Sequence, residues 1–328
     1  MFRNKYSHMF FLVIVSVLLL SCAVTFSTAP VLTATTIPES AVPTDEPASI
    51  SPTADIQTSA PPSQTPSIVP ATNIVVQSGV TPGVPSGPYA VILVPSDDVL
   101  NIRSAAGVQS PVTGSFAPTS KNVMRTGPSA QVGDSTWVEI QSPGGGNGWV
   151  NASYLTEYVA PSAFCTNTQV SMLLNDLKTA LLSSNGQSLA SLVSPAHGLD
   201  LRLWRYGTVA NYDSEHARFL FDSTFQVNWG PMPGSGEDSI GSFKTVVLPK
   251  LTEVFGADYE LHCNDTLDLA TFSLVPWPPE YGNINFYAVH KLGSESYGGL
   301  DWRTWLVGIE FFGGKPYLFS MIHFQWEP

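Results

Sequence analysis

Three runs decide the fold of the first ordered part of the chain: Leu100-Asn101-Ile102-Arg103-Ser104, Trp137-Val138-Glu139-Ile140 and Gly148-Trp149-Val150-Asn151-Ala152-Ser153-Tyr154-Leu155. Each is a short apolar or alternating stretch. A run of the same kind at residues 90–94 precedes them and others at 112–116 and 122–125 lie between them, set off by Gly, Pro, Ser and Asn, with no helical periodicity. Short strands with turn chemistry between them predict a small all-β barrel, here over residues 87–160.

Those three runs resemble the ordered motifs of bacterial SH3-like (SH3b) domains: an opening L-N-V-R-S-type run, a W-x-K-V-type strand and a closing G-W-V-x-x-x-Y-L. The sequence departs from the family at Ala105-Ala106-Gly107, where G-P-G is usual, and at residues 127–134, which read as an enlarged loop before Trp137. Both departures fall where family members form grooves, so no ligand preference is carried over. The resemblance implies a module that binds peptides, often those of the cell wall. Trp137, Trp149 and Tyr154 are the aromatic candidates for ligand contact. The competing reading makes Trp137 and Trp149 core anchors of a domain too small to build a core without them. Arg103 reads as a structural hydrogen-bond donor.

Residues 1–22 carry Arg3 and Lys5, then an apolar run over 9–20 interrupted only by Ser16, then Leu19-Leu20-Ser21-Cys22. The run is short of the 20 or so apolar residues a permanent span requires, and its pattern is that of a targeting segment. The last four residues resemble the lipobox of bacterial lipoproteins. That resemblance implies cleavage before Cys22, lipidation of its sulfur and amine, and anchoring on the outer face of a bacterial membrane. Several acyl chains make a stable anchor where one does not. Residues 23–86 contain no Lys or Arg and are rich in Pro, Ser, Thr, Ala and Val. Such a composition buries too little to offset chain entropy, so the stretch reads as a disordered linker or stalk. Once Cys22 carries lipid, Cys165 and Cys263 remain as a disulfide pair in an oxidising compartment. The formal net charge of -12 argues against nucleic acid as a partner.

Residues 161–328 mix helix and strand signals. Apolar positions 170, 173, 174, 177, 180 and 181 predict an amphipathic helix over 167–184, with Gly186 after it. A turn of helix at 189–193 follows, then strands at 199–206 and 208–212 and a short helix capped by Asp213 or Ser214. Residues 240–255 read as a helix that Pro249 must kink or interrupt. Strands at 258–263, 283–291, 302–312 and 317–326 close the chain, the last two joined at Gly313-Gly314. This order predicts an α+β domain with helices packed on one face of a curved antiparallel sheet. It loosely resembles the NTF2-like or cystatin-like cone, in topology alone.

The ionisable candidates of this domain are His197, Arg202, Arg205, His216, Asp301, Arg303, Glu310 and His323. Strand alternation puts Arg202, Trp204 and Tyr206 opposite Leu199, Leu201 and Leu203, and puts His323 and Gln325 opposite Ile322, Phe324 and Trp326. These polar faces line one pocket or form the solvated side of the sheet. Asp301 and Arg303 read as a hairpin-end ion pair, and Trp277, among Pro276, Pro278 and Pro279, as the exposed tryptophan. No metal-ligand spacing, nucleophile elbow or phosphate loop is present, and no cofactor is called for. Three readings follow. The first is a lipid-anchored, non-enzymatic binding protein contacting peptidoglycan or a surface protein. The second is a wall or secreted-substrate hydrolase, signalled by a pocket joining Arg202, Glu310 and His323. The third is a small-molecule or lipid carrier, signalled by a large apolar cavity.

Overall fold

A computed structural model of the chain describes residues 75–77, 87–204, 207–267 and 276–327. All of them belong to one compact unit, Val69–Pro328. The targeting segment with Cys22, most of the stretch read as linker, and Arg205 and Tyr206 lie outside the described residues.

The first half of this unit is built of strands, with one 3-10 turn at Ala152–Tyr154: β1 (Val75–Gln77), β2 (Tyr89–Val91), β3 (Leu100–Arg103), β4 (Val112–Phe116), β5 (Arg125–Val132), β6 (Ser135–Gln141), β7 (Asn147–Asn151) and β8 (Leu155–Glu157). Six of them form a sheet in the order β1-β5-β6-β7-β3-β4, while β2 pairs with β8. Leu100 and Ile102 of β3, Val138 and Ile140 of β6 and Val150 of β7 meet in one core, as their alternation requires. Gly148 has a steric reason to be glycine, since a Cβ there would sit 2.3 Å from Ile102 Cγ2. The enlarged loop expected at 127–134 is instead strand: β5 runs to Val132 and returns through Gly133 and Asp134, with Val132 opposite Ser135. Gly133 supplies the positive φ, 58°, that so tight a turn demands. The sequence reading missed this because Gly127 and Pro128 look like loop residues. They sit in a register shift between Arg125 and Ser129, where a bulge accepts them.

The second half contains α1 (Pro161–Cys165), α2 (Thr168–Leu182), α3 (Gly186–Leu192), β9 (Leu199–Arg202), β10 (Val209–Tyr212), α4 (Ser214–Ala217), β11 (Val227–Pro231), β12 (Asp238–Gly241), α5 (Leu248–Phe255), β13 (Glu260–Cys263), β14 (Asn285–Lys291), β15 (Arg303–Phe312) and β16 (Lys315–Gln325). Helix α2 starts where Asn167 accepts from the Gln169 N–H, and it buries the apolar stripe read from its spacing. The helix expected over 240–255 is shorter. Ile240 belongs to β12, and a π-helical turn over Phe243–Val247 leads into α5. Ser242 and Thr245 cap that turn reciprocally, and Pro249 falls in the first turn of α5. There its missing N–H breaks no intrahelical bond. The β11–β12 hairpin was not expected from the sequence.

The large sheet has the order β10-β9-β16-β15-β14-β13. It is antiparallel except that β16 and β9 run parallel, so it is mixed rather than purely antiparallel. Gly313 and Gly314, with φ of 61° and 74°, make the tight turn between β15 and β16. The helices cover one face of this sheet around Leu177, Leu181, Phe255, Trp305 and Met321. The other face is also covered: Trp277, Tyr281, Phe286, Phe319 and Ile322 form a second core, and Ile92 from the β-domain enters it. Cys165 and Cys263 are joined in a disulfide across a sequence separation of 98.

Candidate functional site

The double covering of the sheet decides the fate of most of the expected site residues. His323 is 1% exposed, with Nδ1 at 3.2 Å from the Leu203 carbonyl and its ring packed on Trp204 and Trp305. Burial, with the nearby Lys250 charge, pushes its pKa well below the ordinary imidazole value. It is a neutral core histidine. Trp204 joins the same core as Leu203 rather than facing away from it, because β9 ends at Arg202 and the chain turns through a Gly207 N–H to Trp204 carbonyl bond. Arg202 is half-buried on the opposite side of the sheet, near Tyr281. Trp277 is buried rather than exposed: it stacks on Phe286 at 4.4 Å and donates its indole N–H to the Tyr281 carbonyl. Asp301 and Arg303 do not pair with each other; Asp301 accepts from Ser294 and Arg303 lies beside Glu253. His216 is exposed against Asp213. The structure does not bring Arg202, Glu310 and His323 together. His323 faces Trp305 on the β15–β16 ladder and Glu310 faces Tyr317, toward the other end of the hairpin.

In the β-domain, Trp137 is buried and Trp149 half-buried, with Trp149 opposite Glu139 and Arg103 in the sheet. Tyr154 is exposed. None of the three lines the cleft to which Asn151, Ser153 and Leu155 beside them contribute.

That cleft, about 530 Å³, lies between the β-domain and the α+β domain. Strand β8 ends against the β15–β16 hairpin, where Glu157 accepts from the Gly313 and Gly314 N–H groups at 2.8 and 2.9 Å. On the other side of β8, Thr156 donates to Glu310 at 3.2 Å. Glu310 is 2% exposed. It also accepts from the Ser194 hydroxyl and lies 2.8 Å from Nδ1 of His197. The 194–198 turn presents that histidine. Ser194 Oγ accepts from the Ala196 and His197 N–H groups, and Gly198 N–H bonds back to the Ser194 carbonyl. The far nitrogen of His197, Nε2, is 3.1 Å from the carbonyl of Ser153 in the β-domain.

Both ring nitrogens of His197 therefore face acceptors, and only the imidazolium satisfies both. Burial alone would lower its pKa. The hydrogen bond and charge of Glu310, the Ser153 carbonyl and Asp200 outweigh burial, and the pKa is raised. The ion pair lies within the α+β domain, and the β-domain is tied to it by the Ser153 carbonyl on His197 and the Thr156 hydroxyl on Glu310. Further ties are the Leu93 N–H to Glu280 carbonyl bond, the Asn283 amide on the Val91 carbonyl and the Asn285 amide on the Val159 carbonyl.

Ser194, His197 and Glu310 have the composition of a nucleophilic triad without its geometry. Activation of a serine requires its hydroxyl to face the histidine nitrogen remote from the acid. Here that nitrogen is on a backbone carbonyl, and the serine donates directly to the glutamate. Among the described residues, no group of three His, Cys, Asp or Glu side chains is placed to hold a metal ion. Sequence reasoning named Glu310 and His197 separately but found neither their pairing nor Thr156, Glu157 and Ser194, since no local pattern links positions so far apart.

Residues 98–156 match the family model described as the bacterial SH3 domain. That span holds all three motifs from which the resemblance was read. No curated protein matches the chain, and no solved structure does.

Proposed function

We propose that this protein is an extracytoplasmic binding protein, held on the outer face of a bacterial membrane by lipid on Cys22. Its SH3-like module and α+β domain together receive a wall peptide or a segment of a surface protein. The observation that carries the reading is the cleft of about 530 Å³ whose walls come from both domains. Ligand sites are concave, with a few placed polar groups among apolar ones. This cleft sets Ser129, Thr136 and Ser153 against Phe311 and Phe312. The cleft's buried acid and histidine are occupied in holding the walls together, which favours binding over hydrolysis. The carrier reading needs an open apolar cavity under an NTF2-like or cystatin-like sheet, whereas side chains pack both faces of this one.

The test is co-sedimentation of residues 23–328 with purified cell-wall sacculi, against Ala196→Trp, which places a large side chain at the exposed cleft wall. Saturable pull-down that the variant loses supports the proposal. Release of soluble wall fragments moves the assignment to a hydrolase, and no sedimentation excludes the wall as ligand. Palmitate labelling of the full chain, lost in Cys22→Ala, tests the anchor.

A further inference from the structure

The cleft contains one cation that the domain interface does not use. Arg125 begins β5, opposite Ile140 of β6, just before the bulge. Its guanidinium donates to the Tyr89 hydroxyl at 3.3 Å and lies over the Tyr89 ring, 5.3 Å from the centroid. Tyr89 is itself buried and fixed in the β2–β8 ladder opposite Glu157. Arg125 is thus held by an aromatic partner, and it forms no ion pair with a described carboxylate. Two of the acids sharing the cleft are committed elsewhere, Glu157 to the two glycine N–H groups and Glu310 to His197, Ser194 and Thr156. Asp134 is exposed at the β5–β6 turn. In a chain with 26 acidic and 14 basic residues, leaving a half-buried guanidinium unpaired inside a cleft forgoes the pairing that geometry most favours. A guanidinium has five N–H donors in a planar fork that matches a carboxylate bidentately, and the Tyr89 oxygen accepts from only one nitrogen.

We infer that Arg125 is the anchoring residue for a carboxylate on the ligand, with Tyr89 holding the guanidinium in place. This rests on the cleft being the binding site proposed above. The carboxylate is the free C-terminus of a short peptide or the acid group of a sugar acid, and the two share this chemistry.

Calorimetric titration of residues 23–328 separates them, using a tripeptide of small residues as the free acid and as its C-terminal amide, and glucuronate beside its methyl ester. In the wild type one acid should bind at least tenfold more tightly than its uncharged form, and which pair discriminates identifies the source. Arg125→Gln should abolish that ratio. Arg125→Lys, which keeps the cation over Tyr89, should retain part of it, with thermal melts confirming that both variants fold. Equal binding of acid and neutral forms, no binding of either acid, or a ratio that survives Arg125→Gln overturns the inference. Sacculus sedimentation separates the two claims. Wall binding without acid discrimination leaves the proposed function standing and removes the anchor. Acid discrimination through Arg125 without wall binding does the reverse.

Discussion

Replacing His197 with alanine should strand a carboxylate. The side chains of His197 and Glu310 are 6% and 1% exposed, so water does little to screen the charge left behind. Ser194 and Thr156 still donate to it, but two hydroxyls do not neutralise it. Breaking one partner of a buried ion pair costs about 3–5 kcal/mol. For a unit of this size that corresponds to a fall in Tm of roughly 10 °C. Denaturant unfolding followed by tryptophan fluorescence measures it, because Trp137 reports the β-domain and Trp229 and Trp305 the α+β domain. Adding Glu310→Gln to His197→Ala removes the stranded charge and should recover part of the loss, so the two substitutions are less than additive.

The same pair sets a pH limb. His197 has a raised pKa in the folded state, so its contribution is complete below the unfolded value near 6.5. It is lost as pH rises through the folded value, so wild-type stability falls on the alkaline side of 6.5 and the slope flattens in His197→Ala. His323, with its lowered folded pKa, acts on the other side: stability falls as pH drops below 6.5. A loss under about 1 kcal/mol in His197→Ala, which is the scale of an exposed pair, or an alkaline slope unchanged by the substitution, would refute the stabilising role of the buried His197–Glu310 pair.

Further outcomes are expected of three other variants. Ile92→Ala removes the β-domain's side chain from the core over Phe319 and Trp277; it should cost about 2–5 kcal/mol and split a single calorimetric transition into two. The double variant Cys165→Ser/Cys263→Ser opens a loop of sequence separation 98 and should lose about 2–5 kcal/mol, a loss that reducing agent reproduces in the wild type under denaturant titration. Gly308→Ala puts a Cβ 2.7 Å from the Trp277 ring and 2.3 Å from Ser320 Oγ; it should destabilise by about 1–3 kcal/mol, seen as a lower melting temperature.

Much of the local structure was legible because its causes are local. Alternation with β-branched residues placed β3, β6 and β7, the stripe over 170–181 placed α2, and Gly313-Gly314 placed the final hairpin. The cysteine pair followed from counting. The parts that failed were those where one segment's residues had two local readings, as at Gly127-Pro128 and at Ile240.

What the sequence by itself determined is which side chains share a face, since strand and helix periods are properties of the backbone. What covers a face is a property of distant segments, and only the tertiary structure decided that. His323 is buried because Trp204 and the helices cover its side of the sheet, and Trp277 because it packs on Phe286 of the other side together with Ile92 of the β-domain. For the same reason Glu310 is an interface residue: its partners come from positions 156, 194 and 197. Their energies of interaction depend on distance and burial in the folded chain, which no spacing along the sequence encodes.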